Sequence, residues 1–345
     1  MNKSKKRFLV VVIFVLLIVF VAFCGGVGYY FFLYPNFAAR KTAYIYIYPE
    51  KNFENLCRQL EDSAACLNIR SFMEVARVLK YPQNMKTGRY AVEPGTNNYD
   101  LLTGLRRGQQ EPVRITFNNI RLTDDLTNRI SEQIMITSQD LDMLLNDASY
   151  CSSLGFTPAT IKAMFIPNTY EVYWNISAEK LVERMKREYD AFWTEDRRNQ
   201  AQKIRLTPLD VSILASIIEE ESAMTDEYPT IAGVYINRLY RGIPLQADPT
   251  VKYALGDFAV QRVLNEHLRI DSPYNTYLYS GLPPGPIRIP SLKGLESVLN
   301  YQKHNYLYMC AKEDFSGHHN FAVTLSEHNR NADRYRAELN RRGIR

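Results

Sequence analysis

Residues 214–224 read "LASIIEEESAM", three consecutive carboxylates placed directly after an apolar run. The preceding residues, "LTPLDVSI" (206–213), carry a helix start: Thr207 as N-cap, Pro208 at the first helical position and Asp210 in the positively polarised first turn. On a helix of 3.6-residue period, Leu214, Ile217, Ile218 and Glu221 fall at i, i+3, i+4 and i+7, one stripe facing the core. Glu219 instead continues the face of Ser212, Ala215 and Ser216, and Glu220 follows Ile213 and Ile217. A carboxyl on an apolar stripe loses hydration, which raises its pKa and equips it to hand a proton to a leaving oxygen near neutral pH. The competing reading is that Glu221 ends the helix and points into water beyond the core.

Glu219 and Glu221 are two positions apart and point to nearly opposite sides of a helix. They are therefore poorly placed to flank one glycosidic bond at the roughly 5–5.5 Å or 6.5–9.5 Å that paired-carboxylate hydrolases use. Either a partner acid comes from elsewhere, or one carboxyl makes both proton transfers.

Working outward, "FLVVVIFVLLIVFVAFCGGVGYYFFLY" (8–34) follows Lys3, Lys5, Lys6 and Arg7, and no charge appears from Phe8 to Ala39. A spanning helix needs about 20 apolar residues, and this run exceeds the apolar core of a cleavable signal. The basic cluster predicts a cytoplasmic tail (1–7) and a retained anchor (8–32), with everything beyond about residue 40 outside a cell membrane. Next, "AYIYIYP" alternates Tyr44, Tyr46 and Tyr48 against Ile45 and Ile47, a strand pattern whose tyrosine face suits packing. Two short helices, the strand "GRYAV", the helix "NNYDLLTGLRR" stopped by Gly108, and the strand "PVRITF" complete a small α+β block over 42–117. Beyond it, Thr123, Ser138, Ser177 and Thr225 are expected helix caps, "FIPNTYEVYW" an ordered loop or edge strand, and "GLPPGPI" a stiff loop whose glycines permit close approach. The fold class is thus α+β: one N-terminal transmembrane helix, a small module, and a larger domain over 118–345.

Composition narrows function. The chain has 345 residues, 46% apolar and 23% charged, and a net charge of only +5, with no basic stretch interleaved with aromatics, so a nucleic-acid partner is not indicated. Five cysteines make no complete disulfide framework; Cys57 and Cys66 are either a bonded pair or two free thiols. The histidines lie late in the chain, at 267, 304, 318, 319 and 328, without the spacing of a metal motif, and no cofactor fingerprint is present.

"ASIIEEES", "INRL", "LQADPTV", "YNTY", "GLPPGPI" and "SEHN" occur in this order over about 155–335. Jointly they make the chain resemble the endolytic murein transglycosylases of the YceG/MltG-like family, and the anchor and α+β block agree with that. The resemblance implies a LysM-like module at 42–117 ahead of an extracytoplasmic catalytic domain. The second Glu of the family's E-x-E-[TS] pattern is its catalytic acid, which here is Glu221, with Glu219 and Ser222 supporting. It further implies Gln246, Asp248, Tyr274, Asn275, Tyr277, His319 and Asn329 as substrate-binding positions, peptidoglycan glycan strands as partner, and cell-wall synthases (penicillin-binding proteins) as further candidates. Ser222 stands where Thr is more usual, and Asn168 where Asp is usual, which weakens a charge role at 168. The implied reaction is cleavage between N-acetylmuramic acid and N-acetylglucosamine to a 1,6-anhydro end, with one Glu as acid and then base and no cofactor. Two other readings stay open: a non-catalytic scaffold that binds glycan or synthases, and a hydrolase pairing Glu221 with an acid such as Asp248.

Overall fold

In the computed structural model, residues 3–260 and 262–343 are described; residues 1 and 2 of the tail, and residues 261, 344 and 345 of the larger domain, lie outside them. The chain forms two compact units, one of residues 1–114 with 171–175, the other of 115–170 with 176–345.

The first unit opens with α1 (Lys3–Phe32), of which Lys6–Phe32 is long and apolar enough to cross a membrane. Then come β1 (Ala43–Ile47), α2 (Phe53–Asp62), α3 (Ile69–Val78), β2 (Gly88–Val92) and α4 (Asn98–Arg107). β1 and β2 pair antiparallel, with Ile45 opposite Tyr90. Ile45 and Ile47 point into a core with Leu56, Leu60, Phe72, Val75 and Leu102, the strand period turning the tyrosines outward. Those tyrosines pack: Tyr46 and Tyr48 meet Trp174 edge-on at 5.1 and 4.9 Å, and Arg89 lies over Tyr44 at 3.6 Å. Asn52, Asn68 and Asn97 cap the three short helices, and Gly108 ends α4 in the left-handed conformation (φ 76°). Cys57 and Cys66 are free thiols.

β3 (Val113–Thr116) leads into the second unit, which holds α5 (Thr123–Ser131), α6 (Ser138–Asn146), α7 (Ala148–Ser153) and, after β4 (Thr169–Val172), whose last two residues belong to the first unit, α8 (Ala178–Phe192) and α9 (Glu195–Lys203). There follow α10 (Pro208–Glu221), α11 (Tyr228–Tyr240), α12 (Asp248–Leu255), α13 (Leu292–Leu299), β5 (Tyr308–Ala311), β6 (His319–Ala322) and α14 (Leu325–Arg341). Three caps sit elsewhere than expected: Thr137, not Ser138, caps α6; α5 follows Leu122, not Thr123; and α11 starts after Glu227, with Thr225 left in the exposed turn before it. Ser177 and Thr207 cap as the sequence indicates.

α10 is the spine of this unit. Its Thr207–Asp210 capping box fixes the start, and every residue from Val211 to Ile218 is buried. A helix apolar on all sides belongs in a core, so α10 is enclosed rather than half-exposed as a single stripe implies. α11, α12 and α13 pack around it, and β5 and β6 form an antiparallel hairpin against α14. The "GLPPGPI" loop crosses α10 closely. The Ile287 amide donates to Ser216 Oγ at 3.0 Å, and a Cβ at Gly285 would run into the carbonyl of Ala159.

Candidate active site

α10 delivers all three carboxylates to the interior, and what distinguishes them is what each one meets. Glu219 has a side chain only 4% exposed. Its Oε1 accepts from the Ser291 backbone N–H at 2.8 Å and from the Ser291 hydroxyl, and Arg288 lies 3.4 Å from its Oε2. Ser291 is the N-cap of α13, so Glu219 pins that helix start to α10. Glu220 is held by both arms of Arg121, at 3.0 and 2.8 Å, and by Arg288 at 3.0 Å. Both acids are thus compensated by cations, the arrangement a buried charge requires.

Among the described residues no cation lies within ion-pair distance of Glu221, and its Oε2, shut away from solvent, meets no hydrogen-bond partner, while the Tyr235 hydroxyl bonds to the carboxyl. Burial, reinforced by the negative charge of Asp248, pushes its pKa up to about 7, against smaller opposing effects of Tyr235 and Lys252. The helix ends at this residue because Ser222 turns extended (φ −135°) and its hydroxyl accepts from the Met224 amide at 3.0 Å. Ser222 itself is buried, so it shapes the helix end.

Glu221 opens into a cavity of about 310 Å³, lined also by Val234, Tyr235, Arg238, Leu245, Gln246, Asp248, Tyr277, Tyr308, Met309, Leu325 and His328. Three of the expected binding residues meet here: Gln246, Asp248 and Tyr277. Thr276 holds them in place, accepting from the Ala247 amide at 3.0 Å through its hydroxyl and from the Gln246 amide at 3.1 Å through its carbonyl. The Tyr277 hydroxyl donates to Asp248 Oδ1 at 2.6 Å.

Four expected residues are not at the cavity. Asn275 is fully buried, its amide donating to the carbonyls of Leu268 and Ile270 at 2.9 Å, so it braces the loop. Tyr274 packs on Tyr253, with ring centroids 4.7 Å apart. His319 is engaged by Glu227, through its backbone N–H and Nδ1, both at 2.9 Å. Asn329 is exposed on α14, and its neighbour His328 takes the inward position. Tyr235, Arg238, Tyr308 and His328 also line the cavity and were not singled out from the sequence. For His328 a signal existed: Ala332, Tyr335 and Leu339 define the inner face of α14, and stepping back four residues from 332 gives 328. Among the described residues no group of three His, Cys, Asp or Glu is placed to hold a metal.

Fold and site together define an α+β protein in which one glutamic acid, with no cation within ion-pair distance among the described residues and its pKa pushed up to about 7, faces a cavity: a candidate acid–base site. The chain belongs to the YceG-like family, whose model matches residues 45–334. It is 38% identical over 164 residues to the endolytic murein transglycosylase of Bacillus subtilis (strain 168), an alignment covering 48% of this chain and 44% of that protein. It is 27% identical over 361 aligned positions to the endolytic murein transglycosylase of Streptococcus pneumoniae (serotype 2, strain D39), covering 94% of this chain and 65% of that one. The chain thus spans about half to two thirds of the length of these curated relatives. The crystal structure of a yceG-like protein from Listeria monocytogenes superposes with a TM-score of 0.57 and 26% identity, over 85% of this chain and 99% of that one.

Proposed function

We propose that this protein is a lytic transglycosylase of peptidoglycan, cutting glycan strands internally between N-acetylmuramic acid and N-acetylglucosamine, with Glu221 as the single acid–base group. The observation that carries the reading is the setting of Glu221: shielded, with no cation within ion-pair distance among the described residues, so that burial pushes its pKa up to about 7. The names of the two curated relatives support the substrate and the reaction class.

The chemistry follows from one carboxyl. Protonated Glu221 gives its proton to the bridging oxygen as the bond from that oxygen to the muramoyl C1 breaks. The sugar left behind is oxocarbenium-like, and the negative charge of Asp248, held by Tyr277, favours it. Glu221, now a carboxylate, takes the proton of the muramoyl C6 hydroxyl while that oxygen closes on C1. The 1,6-anhydro ring forms, no water is consumed, and the carboxyl returns to its starting state. Tyr277 and Tyr308 offer aromatic faces to the sugar.

Membrane anchoring belongs to the same proposal. The length and apolar character of Lys6–Phe32, with basic residues at its N-terminal end, support a retained single-pass anchor with the N-terminus in the cytoplasm and the chain beyond about residue 40 outside. The β1–α2–α3–β2 order of the first unit supports its LysM-like role at 42–117, beside a catalytic domain at 118–345. Cell-wall synthases are proposed as partners through the family resemblance.

Because Asp248 shares the cavity, hydrolysis by a Glu221–Asp248 pair is the competing reading. Mass analysis of products from purified murein separates the two. Anhydro ends, lost in Glu221→Gln, support the transglycosylase. Reducing ends convert the reading to a hydrolase, and no cleavage by the folded wild type removes the enzyme.

A further inference from the structure

Arg238 is 7% exposed and lies on the wall of the Glu221 cavity. Three of its five N–H groups are spent on neutral acceptors: Nε on the Pro244 carbonyl at 3.0 Å, one terminal nitrogen on the Leu307 carbonyl at 3.0 Å, and the other on Gln246 Oε1. Among the described residues no carboxylate lies within ion-pair distance of it. That sets it apart from Arg121 and Arg288, two cations at α10 that are engaged by its glutamates. A guanidinium held in a low-dielectric wall without a counter-charge is costly, and that cost falls when an anion arrives. Its position is fixed from two sides. Gln246, which receives it, sits in the left-handed backbone region (φ 50°), where a non-glycine residue is strained. Tyr308 lies beneath the guanidinium, at 5.7 Å from its ring centre.

A second group on the same cavity is also unsatisfied. His328 Nδ1 is enclosed and has no hydrogen-bond partner among the described residues. Burial, with the charges of Arg238 and Arg336, holds its pKa below the usual histidine range, so the ring is neutral at pH 7 and its nitrogen stays available as a hydrogen-bonding group.

We propose that Arg238, seconded by His328, forms a carboxylate-binding subsite in the Glu221 cavity. The inference rests on the glycan reading above and adds what the site selects. Arg presents paired N–H groups that match a carboxylate better than a hydroxyl or an amide. On a muramoyl residue the carboxylate has two sources, the lactyl arm when no peptide is attached, or a free acid on the attached peptide. The subsite therefore makes the enzyme discriminate between acid and amidated forms of the same glycan.

The test uses the full chain in detergent micelles carrying Glu221→Gln, so that binding is read without turnover. Two pairs of soluble glycan oligomers are compared: peptide-free strands with the lactyl group as acid or as primary amide, and peptide-bearing strands with the peptide carboxyl as acid or as amide. A charge-assisted hydrogen bond predicts about 10- to 100-fold tighter binding of the acid in one pair, which also identifies the source. Adding Arg238→Gln reduces that ratio to about one, and Arg238→Lys leaves an intermediate ratio. Equal affinity for acid and amide in both pairs, or binding of none of the four, overturns the subsite. Because the acid–amide comparison is made with Arg238 intact, it stands even where an Arg238 variant fails to fold. Cleavage of murein by the wild type is scored separately, so failure of the subsite and failure of the transglycosylase reading are told apart.

Discussion

Tyr277 donates a hydrogen bond of 2.6 Å to Asp248, and both side chains line the cavity onto which Glu221 faces. The pair fixes a negative charge near an acid that has no cation within ion-pair distance among the described residues. Asp248 is the second cause, after burial, of the raised Glu221 pKa, while the Tyr235 hydroxyl works in the opposite direction. The proton on Glu221 is therefore set by named and separable groups.

Activity should fall as pH rises through about 7, because the general acid must be protonated. Asp248→Asn removes a charge that disfavours the carboxylate, so the alkaline limb moves to lower pH. Tyr235→Phe removes a hydrogen bond that favours the carboxylate, so the limb moves to higher pH. The pH dependence of kcat/KM for the three proteins checks both signs; shifts in the same direction would break the electrostatic account.

Stability should respond to the same group. The Glu221 pKa is about 7 in the folded chain against 4.5 as the reference value, so the folded state binds the proton more tightly. Its contribution is fully present below about pH 4.5 and is lost as pH rises through 7. At pH 8 the ionised, shielded carboxylate costs on the order of 3 kcal/mol. Glu221→Gln removes the titration. Its thermal midpoint should match wild type near pH 5 and exceed it at pH 8, as scanning calorimetry at the two pH values would show.

Arg288 meets two of the three glutamates, at 3.0 Å from Glu220 and 3.4 Å from Glu219, with its own side chain 13% exposed. Arg288→Met leaves Glu219 without a cation and Glu220 with Arg121 alone. Removing one partner of a buried ion pair typically costs 3–5 kcal/mol, and the surviving Arg121 bond places the expected loss near the lower figure, about 3 kcal/mol. Urea unfolding measures it; a loss below about 1 kcal/mol would mean that the cation is dispensable.

The helical wheel singles out Glu221 as a candidate, but on an incomplete ground. α10 is buried around its whole circumference from Val211 to Ile218, so periodicity does not separate an inward acid from an outward one. Glu219 is more enclosed than the single-stripe reading allows, and Arg121 and Arg288 supply the cations that Glu219 and Glu220 meet. Arg121 and Arg288 are 99 and 68 residues away from Glu220 in sequence, a pairing that no local pattern encodes. Local patterns did serve where the determinants are local. The Thr207–Asp210 capping box, the Ile45 and Ile47 face of β1 and the Gly108 stop are contained within a few residues each. Asn275 and His319 carry polar groups that suit a ligand as well as a brace; Asn275 meets the carbonyls of Leu268 and Ile270 within its own loop, whereas the partner of His319 is Glu227, 92 residues away.

Gly294 shows how tightly Glu219 is built in. A Cβ at this position would collide with Glu219 Oε1, the atom that also accepts from Ser291 at the start of α13. Gly294→Ala should therefore force the carboxylate off the helix start and destabilise the chain. A backbone-compatible glycine-to-alanine change in a helix would ordinarily stabilise it by up to about 1 kcal/mol. Glu219→Ala should also destabilise, by leaving the Ser291 amide and the Arg288 charge without their acceptor. Combined, the two changes should cost less than their sum, because removing the carboxylate makes room for the added methyl. Midpoints of denaturant unfolding for wild type, both single variants and the double variant close this cycle. Strict additivity would mean that Gly294 is not required by the approach of Glu219.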